Sequence, residues 1–304
     1  MKKNKLLLMW IMAGLVLFCT NFWSETGSQD PLYHGRVLEK LSFSSTILNK
    51  ELNYSIYLPP DYDTSQRNYP VVYLLHGYTD DDTAWIQFGE VHLTMDKGIA
   101  ERQIPPMIIV MPDAGATWYI NDHKGKYPYE DMFFKELIPF IDTAYRTRPH
   151  KEFRGISGLS MGGYGSLGYA MRHPDYFSAC AAFSSGLLTD DAIVSMEDKN
   201  YDGLFSHLFG SNLSGENRLT THWRQTNPLD LAENLDIKTM KSIQWYIDCG
   251  DDDFLYKGNA ALHITFRDRE IPHEFRVRDG QHNWTYWRTW ISEGLAFIGK
   301  RFQR

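Results

Sequence analysis

Residues 153–165 read Phe-Arg-Gly-Ile-Ser-Gly-Leu-Ser-Met-Gly-Gly-Tyr-Gly. The centre of this stretch is a G-x-S-x-G pentapeptide, with Ser160 flanked by Gly158 and Gly162. A serine on a sharp strand-to-helix turn is strained and crowded, and glycines two residues away on each side remove the side chains that would collide there. The stretch therefore predicts that Ser160 is a nucleophile and that the backbone N–H of Met161 points at the group that Ser160 attacks. The alternative is a glycine-rich turn that only packs a helix on a strand.

A second glycine pattern overlaps the first. Residues 163–168 read Gly-Tyr-Gly-Ser-Leu-Gly and match the dinucleotide-binding pattern G-x-G-x-x-G. That pattern requires its first glycine at the end of a strand, whereas the strand here is expected to end near Gly158. Gly163 is then inside the following helix, where glycines allow close packing on the sheet. We therefore expect no dinucleotide cofactor.

Apolar periodicity alternates between strand and helix on both sides of the pentapeptide. Continuous apolar runs such as Val71–Leu75 are typical of strands buried on both faces of a parallel sheet. Strands are predicted at residues 54–58, 71–75, 107–111, 178–183, 243–247 and 274–277, and helices at 133–145, 161–172, 260–266 and 287–297. This order predicts an α/β fold, with a mostly parallel central sheet and helices on both faces.

No proline-rich linker or shift in composition divides the chain, so residues 30–304 are predicted to form a single domain. Residues 187–235 interrupt the alternation, because they carry no clear strand and are rich in Asn, Asp, Ser and Gly. Long connections in compact domains are often functional. We expect this segment to form a small partial cap over the active site, the alternative being a surface excursion without a role.

The amino terminus has the pattern of a signal peptide. Three lysines precede an uncharged apolar run over residues 6–18, whose 13 residues are too few to span a bilayer comfortably. Residues 1–24 are therefore predicted to be a signal peptide that exports the protein, the alternative being an uncleaved anchor. Cys19 is a candidate lipid-anchor site, although lipidation favours a small residue where Phe18 stands. Cleavage between Cys19 and Gln29 is the alternative.

Charge and cysteine content limit the classes of partner. Removing residues 1–24 removes three lysines and no acidic residue, so the net charge changes from −7 to −10. An acidic protein gives no reason to expect a nucleic acid as a partner. Beyond Cys19 only Cys180 and Cys249 remain, in apolar runs, and two cysteines do not make a disulfide framework.

A nucleophilic serine needs a histidine as its base. The histidines after Ser160 are His173, His207, His222, His263, His273 and His282. His282 follows a predicted strand and Asp279-Gly280, so it lies on a loop from which it can reach a serine on another strand. His173 is too close to Ser160 in sequence, and His263 falls within an amphipathic helix. His282 is therefore the predicted base.

The base in turn needs an orienting carboxylate, and the oxyanion needs two N–H donors. Four acids lie between Asp248 and Asp253, and by position alone Asp251 and Asp253 compete for the role. Some of these acids would alternatively cap a turn or helix. For the oxyanion, Met161 provides one N–H, and the loop after the strand at 71–75 is expected to provide Tyr78 as the second.

Together these residues resemble the esterase D-like branch of the α/β-hydrolases. This branch contains S-formylglutathione hydrolases, the feruloyl and acetyl-xylan esterases of carbohydrate esterase family 1, and the antigen 85 mycolyltransferases. The matching pieces are Leu-Leu-His-Gly at 74–77 with Trp85, Met-Pro-Asp at 111–113, Glu-Leu-Ile-Pro at 136–139, Gly-Leu-Ser-Met-Gly-Gly at 158–163, Asp-Cys-Gly-Asp-Asp-Asp-Phe-Leu at 248–255, and Gly-Gln-His at 280–282.

The resemblance covers residues 45–300 and implies an α/β-hydrolase fold with Ser160, Asp253 and His282 as its triad. It selects Asp253 because the family's acid stands three residues after the glycine and next to Phe-Leu. Relatives often carry a second glycine after His-Gly, whereas this chain reads Tyr-Thr-Asp-Asp-Asp at 78–82. The departure bears on the shape of the acyl pocket.

The expected function is an exported serine esterase that hydrolyses acetyl or feruloyl esters on plant polysaccharide. The alternatives are a thioesterase similar to S-formylglutathione hydrolase, an acyltransferase to a sugar, and a non-catalytic polysaccharide-binding relative. Trp118 and Trp284 are candidate substrate-binding residues, with core packing as the alternative. The reaction needs no metal or organic cofactor, and the histidines lack the spacing of metal ligands, so none is expected.

Overall fold

Eight strands form one sheet in the computed structural model, which describes residues 34–303. The strands are β1 (Arg36–Ser45), β2 (Lys50–Leu58), β3 (Val71–Leu75), β4 (Ile108–Pro112), β5 (Arg154–Leu159), β6 (Ala179–Phe183), β7 (Gln244–Gly250) and β8 (His273–Arg278). Their order across the sheet is β1-β2-β4-β3-β5-β6-β7-β8. The pairs β1–β2 and β2–β4 are antiparallel, and β3 to β8 are parallel. The predicted mostly parallel sheet is therefore confirmed.

Helices fill the connections between the strands. They are α1 (Ala84–Gln87), α2 (Val91–Ala100), α3 (Tyr129–Met132), α4 (Ile138–Ala144), α5 (Met161–Arg172), α6 (Asp190–Val194), α7 (Asp198–Leu204), α8 (Ser206–Phe209), α9 (Thr221–Thr226), α10 (Pro228–Asn234), α11 (Ile237–Lys241), α12 (Tyr256–Asp268) and α13 (Trp284–Phe302). A π-helical turn at Phe133–Leu137 joins α3 to α4, and 3₁₀ turns lie at Lys151–Phe153 and Gly215–Arg218.

The sheet has an apolar core on each face. Successive strand side chains point to opposite faces, so Val72 and Leu74 join one core while Tyr73 and Leu75 join the other. Residues of α2 and α13 complete the first core, and residues of α4, α5 and α12 complete the second. Helices thus cover both faces of the sheet, and the chain has the α/β-hydrolase fold expected from its sequence.

Strand β1 is missing from the sequence-based expectation, which has its first strand at residues 54–58. Most positions of β1 are exposed or half-buried, and only Phe43 and Ser45 are buried. An edge strand that pairs only with β2 has little apolar periodicity by which to predict it. Strand β2 also begins earlier than expected, at Lys50, because its first residues are exposed.

Residues 187–235 contain no strand, as expected, and fold into the short helices α6 to α10. Arg218 links parts of this segment to one another. Its side chain is buried and donates hydrogen bonds of 3.0 Å to the backbone carbonyls of Leu213 and Ile193. The same guanidinium pairs with Asp198. A segment of irregular composition is therefore held in one shape by an internal arginine.

The predicted signal peptide at residues 1–24, and Cys19 within it, lie outside the described residues. Between residues 34 and 303, none of the helices combines the length and the apolar character that crossing a membrane would require.

A buried ion pair fixes the carboxyl end of α5. Arg172, its last residue, donates two hydrogen bonds of 2.9 Å to the two carboxylate oxygens of Glu130, and His173 contacts the same carboxylate at 2.7 Å. Although burial disfavours the charged form, Arg172 and His173 hold the pKa of Glu130 at about 2, well below its ordinary 4.5. The ionised carboxylate therefore joins α3 to the helix that begins at Ser160.

We expect Glu130→Gln to lower the free energy of unfolding at pH 7 by about 3 kcal/mol, because the variant leaves the Arg172 side chain, which is only 15% exposed, without a counterion. A lowered pKa stabilises the fold fully above pH 4.5, and this contribution is lost as the pH falls toward 2. The difference between wild type and variant in urea unfolding should therefore shrink over that range. The exposed Glu101→Gln is the control; a difference that does not change with pH would contradict this account.

Candidate active site

Ser160 lies on the turn between β5 and α5 with φ 53° and ψ −117°, a conformation that non-glycine residues adopt only under constraint. A Cβ on Gly158 would lie 2.5 Å from the Gly162 carbonyl oxygen, and a Cβ on Gly162 would lie 2.4 Å from the Leu75 carbonyl oxygen. Both glycines are therefore needed for the turn to pack against β3, as the pentapeptide predicts.

The glycines after the pentapeptide are packing positions within α5. A Cβ on Gly163 would lie 2.7 Å from Ser185 Oγ, and one on Gly165 would lie 2.6 Å from the Tyr119 ring. Because Gly163 is the third residue of a helix and not the end of a strand, residues 163–168 do not have the geometry of a dinucleotide-binding turn.

Three side chains from separate strand ends form a hydrogen-bonded chain. His282 Nε2 lies 3.0 Å from Ser160 Oγ, and His282 Nδ1 lies 2.8 Å from Asp253 Oδ2. The carboxylate is fully buried, and its other oxygen accepts a 2.8 Å bond from the Leu255 N–H. Because a carboxylate only accepts, the proton of neutral His282 is on Nδ1, which leaves Nε2 free to accept from the serine hydroxyl.

The neighbouring acids in the 248–253 run have structural partners. Asp251 Oδ1 accepts a 3.0 Å bond from the Gly280 N–H, and the Asp252 N–H donates to the Gly280 carbonyl at 3.1 Å. Asp248 is buried within β7 and accepts from Tyr246 Oη at 2.8 Å. By position Asp251 and Asp253 are equal candidates. The structure places Asp253 against the His282 imidazole, whereas Asp251 bonds to Gly280 in the loop that carries His282.

The other histidines weighed from the sequence bond elsewhere. His173 contacts Glu130 at the far end of α5, and His263 Nδ1, in α12, lies 2.7 Å from Nε2 of His273 at the start of β8. Of the described histidines, the one within hydrogen-bonding distance of Ser160 Oγ is His282.

The candidate oxyanion donors come from two backbones. Met161 is the first residue of α5, so its N–H has no acceptor within the helix. Tyr78 follows Gly77, whose carbonyl oxygen lies 2.8 Å from Nδ1 of the buried His76, while His76 Nε2 accepts from the Ala114 N–H at 2.9 Å. Since Nε2 accepts, Nδ1 carries the proton and donates to the Gly77 carbonyl. This bond fixes the plane of the Gly77–Tyr78 peptide.

A cavity of about 660 Å³ opens beside Ser160. Apolar side chains from the 187–235 segment form one wall, and His282 lies at another. The cavity is lined by Leu188, Met196, Leu204 and Phe205 of that segment, together with Gly77, Tyr78, Thr79, Asp80, Trp118, Leu159, Ser160, Gly186, Phe254, Leu255, His282, Asn283, Trp284 and Trp287. The predicted partial cap therefore contributes side chains to the wall of this cavity.

Both tryptophans chosen from the sequence line this cavity. Trp118 is 7% exposed and packs against Phe205 with ring centroids 4.8 Å apart. It is therefore a core residue that also lines the cavity. Trp284 is half-buried and packs edge-on against Trp85, with centroids 5.2 Å apart. The more deeply buried Trp287 donates its indole N–H to Ser184 Oγ at 3.0 Å.

The loop at residues 78–82 contains a residue in an unfavourable backbone conformation. Thr79 has a left-handed φ of 70°, which a β-branched residue rarely adopts. Its neighbour Asp80 lines the cavity, where burial raises the pKa of the carboxyl. The sequence of this loop departs from the family pattern, but it does not indicate a role for Thr79 or Asp80.

A serine, a histidine and a buried aspartate linked at the carboxyl edge of this sheet have the arrangement of the α/β-hydrolases. A family model described as "Putative esterase" matches residues 45–298. The chain therefore belongs to the esterase family, and the esterase D-like resemblance read from the sequence is confirmed.

Individual relatives carry more specific names. The chain is 34% identical to an endo-1,4-beta-xylanase/feruloyl esterase of Xylanibacter ruminicola over 179 residues, 55% of this chain and 24% of the relative. It is 25% identical to an acetyl esterase of Caldicellulosiruptor saccharolyticus over 271 residues, 86% of this chain and 97% of the relative. A solved ferulic acid esterase superimposes with a TM-score of 0.76 at 30% identity, over 88% of this chain and all of that one.

Several curated relatives are much longer than this chain. The matched region spans 24% of the Xylanibacter enzyme and 31% of the Mycobacterium tuberculosis esterase Rv1288.

We expect Gly162→Ala to lower the free energy of unfolding by about 2–3 kcal/mol, because the added methyl group meets the backbone oxygens of Leu75 and His76 at 2.4 and 2.6 Å. Gly203→Ala in α7 is the matched control, since no heavy atom lies within 4 Å of its added Cβ. It should stabilise by about 0.5–1 kcal/mol through helix propensity. Thermal unfolding measures both, and equal effects would contradict the close packing described here.

Proposed function

We propose that the protein is an exported serine esterase that hydrolyses feruloyl or acetyl esters of plant polysaccharide. The observation that carries the proposal is the hydrogen-bonded chain from Ser160 through His282 to the buried Asp253, at the edge of a large apolar cavity. Export rests on the predicted signal peptide at residues 1–24.

The reaction would proceed through an acyl-enzyme. His282 Nε2 takes the proton of Ser160 Oγ as the oxygen attacks the ester carbonyl, and the resulting imidazolium is stabilised by Asp253. The imidazolium then gives this proton to the departing alcohol oxygen, which leaves the acyl group on Ser160. His282 next takes a proton from water, whose oxygen attacks the acyl carbonyl of the acyl-enzyme. The imidazolium then returns this proton to Ser160 Oγ as the bond between Oγ and the acyl carbon breaks, which releases the acid and restores the serine hydroxyl.

The oxyanion of each tetrahedral intermediate would accept hydrogen bonds from the Met161 and Tyr78 N–H groups. In a trans peptide the N–H points opposite to the preceding carbonyl. Since His76 holds the Gly77 carbonyl, it also fixes the direction of the Tyr78 N–H. His76 is thus a positioning residue for the second donor. A Cβ on Gly77 would lie 3.7 Å from Ser160 Cβ, which puts this peptide beside the nucleophile.

The cavity favours an aromatic acyl group over acetyl. Its volume of about 660 Å³ far exceeds what an acetyl group occupies, and Trp118, Leu188 and Phe205 offer apolar contacts to a flat ring. The names of two relatives, a feruloyl esterase and a ferulic acid esterase, support the same choice, whereas the acetyl esterase supports the smaller group.

We expect Ser160→Ala to lower kcat for methyl ferulate and 4-nitrophenyl acetate by at least about 10⁴-fold, because no other group would form the acyl-enzyme. Ser211→Ala, an exposed serine of the 187–235 segment, is the control and should retain wild-type rates. Initial rates at saturating substrate measure the effect. Turnover by Ser160→Ala near the wild-type rate would refute the assignment, and cleavage of thioesters alone would refute the substrate class.

The positioning role of His76 predicts different outcomes for two substitutions. In His76→Asn the side-chain amide can replace Nδ1 as donor to the Gly77 carbonyl, whereas His76→Gln places its amide near Nε2 and loses that bond. We expect kcat to fall about 10²-fold in the Gln variant and much less in the Asn variant, with KM little changed in both. Affinity for a boronic acid, which mimics the tetrahedral intermediate, should fall in parallel with kcat; equal losses in the two variants would indicate a purely structural role.

A further inference from the structure

We propose that Phe254, with Trp284 and Phe88, forms an aromatic platform on which a neutral sugar ring of the substrate's alcohol part stacks. The inference rests on the proposed esterase function and extends it, since it assigns the two halves of the ester to different sides of the cavity. Phe254 is absent from the sequence-based set of site residues, although it directly follows Asp253.

The direction of proton transfer determines where the alcohol must lie. His282 Nε2 has to donate to the departing oxygen, so the alcohol part of the ester lies on the His282 side of Ser160. This side is formed by the ends of β7 and β8, at one edge of the sheet. The acyl part then extends the other way, toward Trp118 and the wall formed by the 187–235 segment.

Two aromatic residues, Phe254 and Trp284, line the cavity together with His282. The residue Phe254 is 72% exposed, and the centroid of its ring lies 4.5 Å from that of the His282 ring. Trp284, two residues after His282, also lines the cavity. Phe88 is 51% exposed and continues this surface, with its centroid 5.8 Å from that of Trp284.

The exposure of these rings fits a sugar better than an apolar alcohol. A sugar ring packs its C–H face on an aromatic face while its hydroxyl groups stay in water, so it needs an open platform and not an enclosed pocket. Contiguous exposed apolar groups at the mouth of a site commonly mark a binding groove. An open surface also leaves room for the rest of a polysaccharide on both sides of the esterified sugar.

Charge beside the platform favours a neutral sugar. Asp251, Asp252 and Asp279 are exposed, and their carboxylate oxygens lie within 4.8 Å of one another. Asp252 and Asp279 stand two and three residues from Phe254 and His282 respectively. These carboxylates can accept bonds from sugar hydroxyls, whereas they would repel the carboxylate of a uronic acid.

The test compares two esters with the same acyl group, methyl ferulate and a feruloylated arabinoxylo-oligosaccharide. For Phe254→Ala, we expect the ratio of kcat/KM for the oligosaccharide to that for methyl ferulate to fall about tenfold, chiefly through KM. Phe254→Leu, which keeps apolar bulk beside His282 without an aromatic face, should lower the ratio similarly, and Phe254→Tyr should preserve it. Ile264→Ala, an exposed apolar residue on α12, is the control.

An unchanged ratio in Phe254→Ala, with both esters cleaved by the wild type, would overturn the platform and leave the proposed esterase function intact. Equal losses on both esters would also overturn it, because they would show that Phe254 only supports His282. If the wild type cleaves neither ester, the proposed function itself fails. Equal kcat/KM for an oligosaccharide that carries a glucuronate next to the feruloylated sugar would overturn the preference for a neutral sugar.

Discussion

The close approach of α5 to β3 is the constraint on which the rest of the structure depends. Two positions without a Cβ, Gly158 and Gly162, bring the start of the helix against the backbone of Leu75 and His76. The tight turn holds Ser160 at a positive φ of 53° and places its Cβ 3.7 Å from where a Cβ on Gly77 would lie. The buried Glu130–Arg172 pair at the other end of α5 then fixes the position of the whole helix.

Much of this architecture can be predicted from the sequence, because buried parallel strands leave continuous apolar runs and the nucleophile turn leaves paired glycines. The runs at β3 and β4 and the pentapeptide at 158–162 are examples. Choosing Asp253 over Asp251 required the family resemblance, since both follow Gly250 and only three-dimensional contacts distinguish them. Strand β1 is not predicted because only Phe43 and Ser45 of this edge strand are buried, which is too few positions to give a periodic apolar pattern.

The cavity wall is the least predictable part, because its members meet through tertiary packing and not through spacing. Leu204 and Phe205 come from the 187–235 segment, whose helices have four to seven residues and weak periodicity. Thr79 and Trp118 line the cavity from left-handed backbone conformations, which cannot be predicted from a threonine or a tryptophan in the sequence. The exposure of Phe254 cannot be predicted from the sequence either, because a phenylalanine is ordinarily expected to be buried.

The two hydrogen bonds between the β7 and β8 loops, from Gly280 to Asp251 and from Asp252 to Gly280, have an evolutionary consequence. These two bonds join the loop of Asp253 directly to the loop of His282, and neither involves a residue of the 187–235 segment, which makes up most of the connection between β6 and β7. Insertions, deletions or exchanges within residues 187–235 can therefore change the wall of the cavity while these two hydrogen bonds are kept. A lineage with this fold can therefore vary the shape of its cavity by changing one contiguous stretch of the gene.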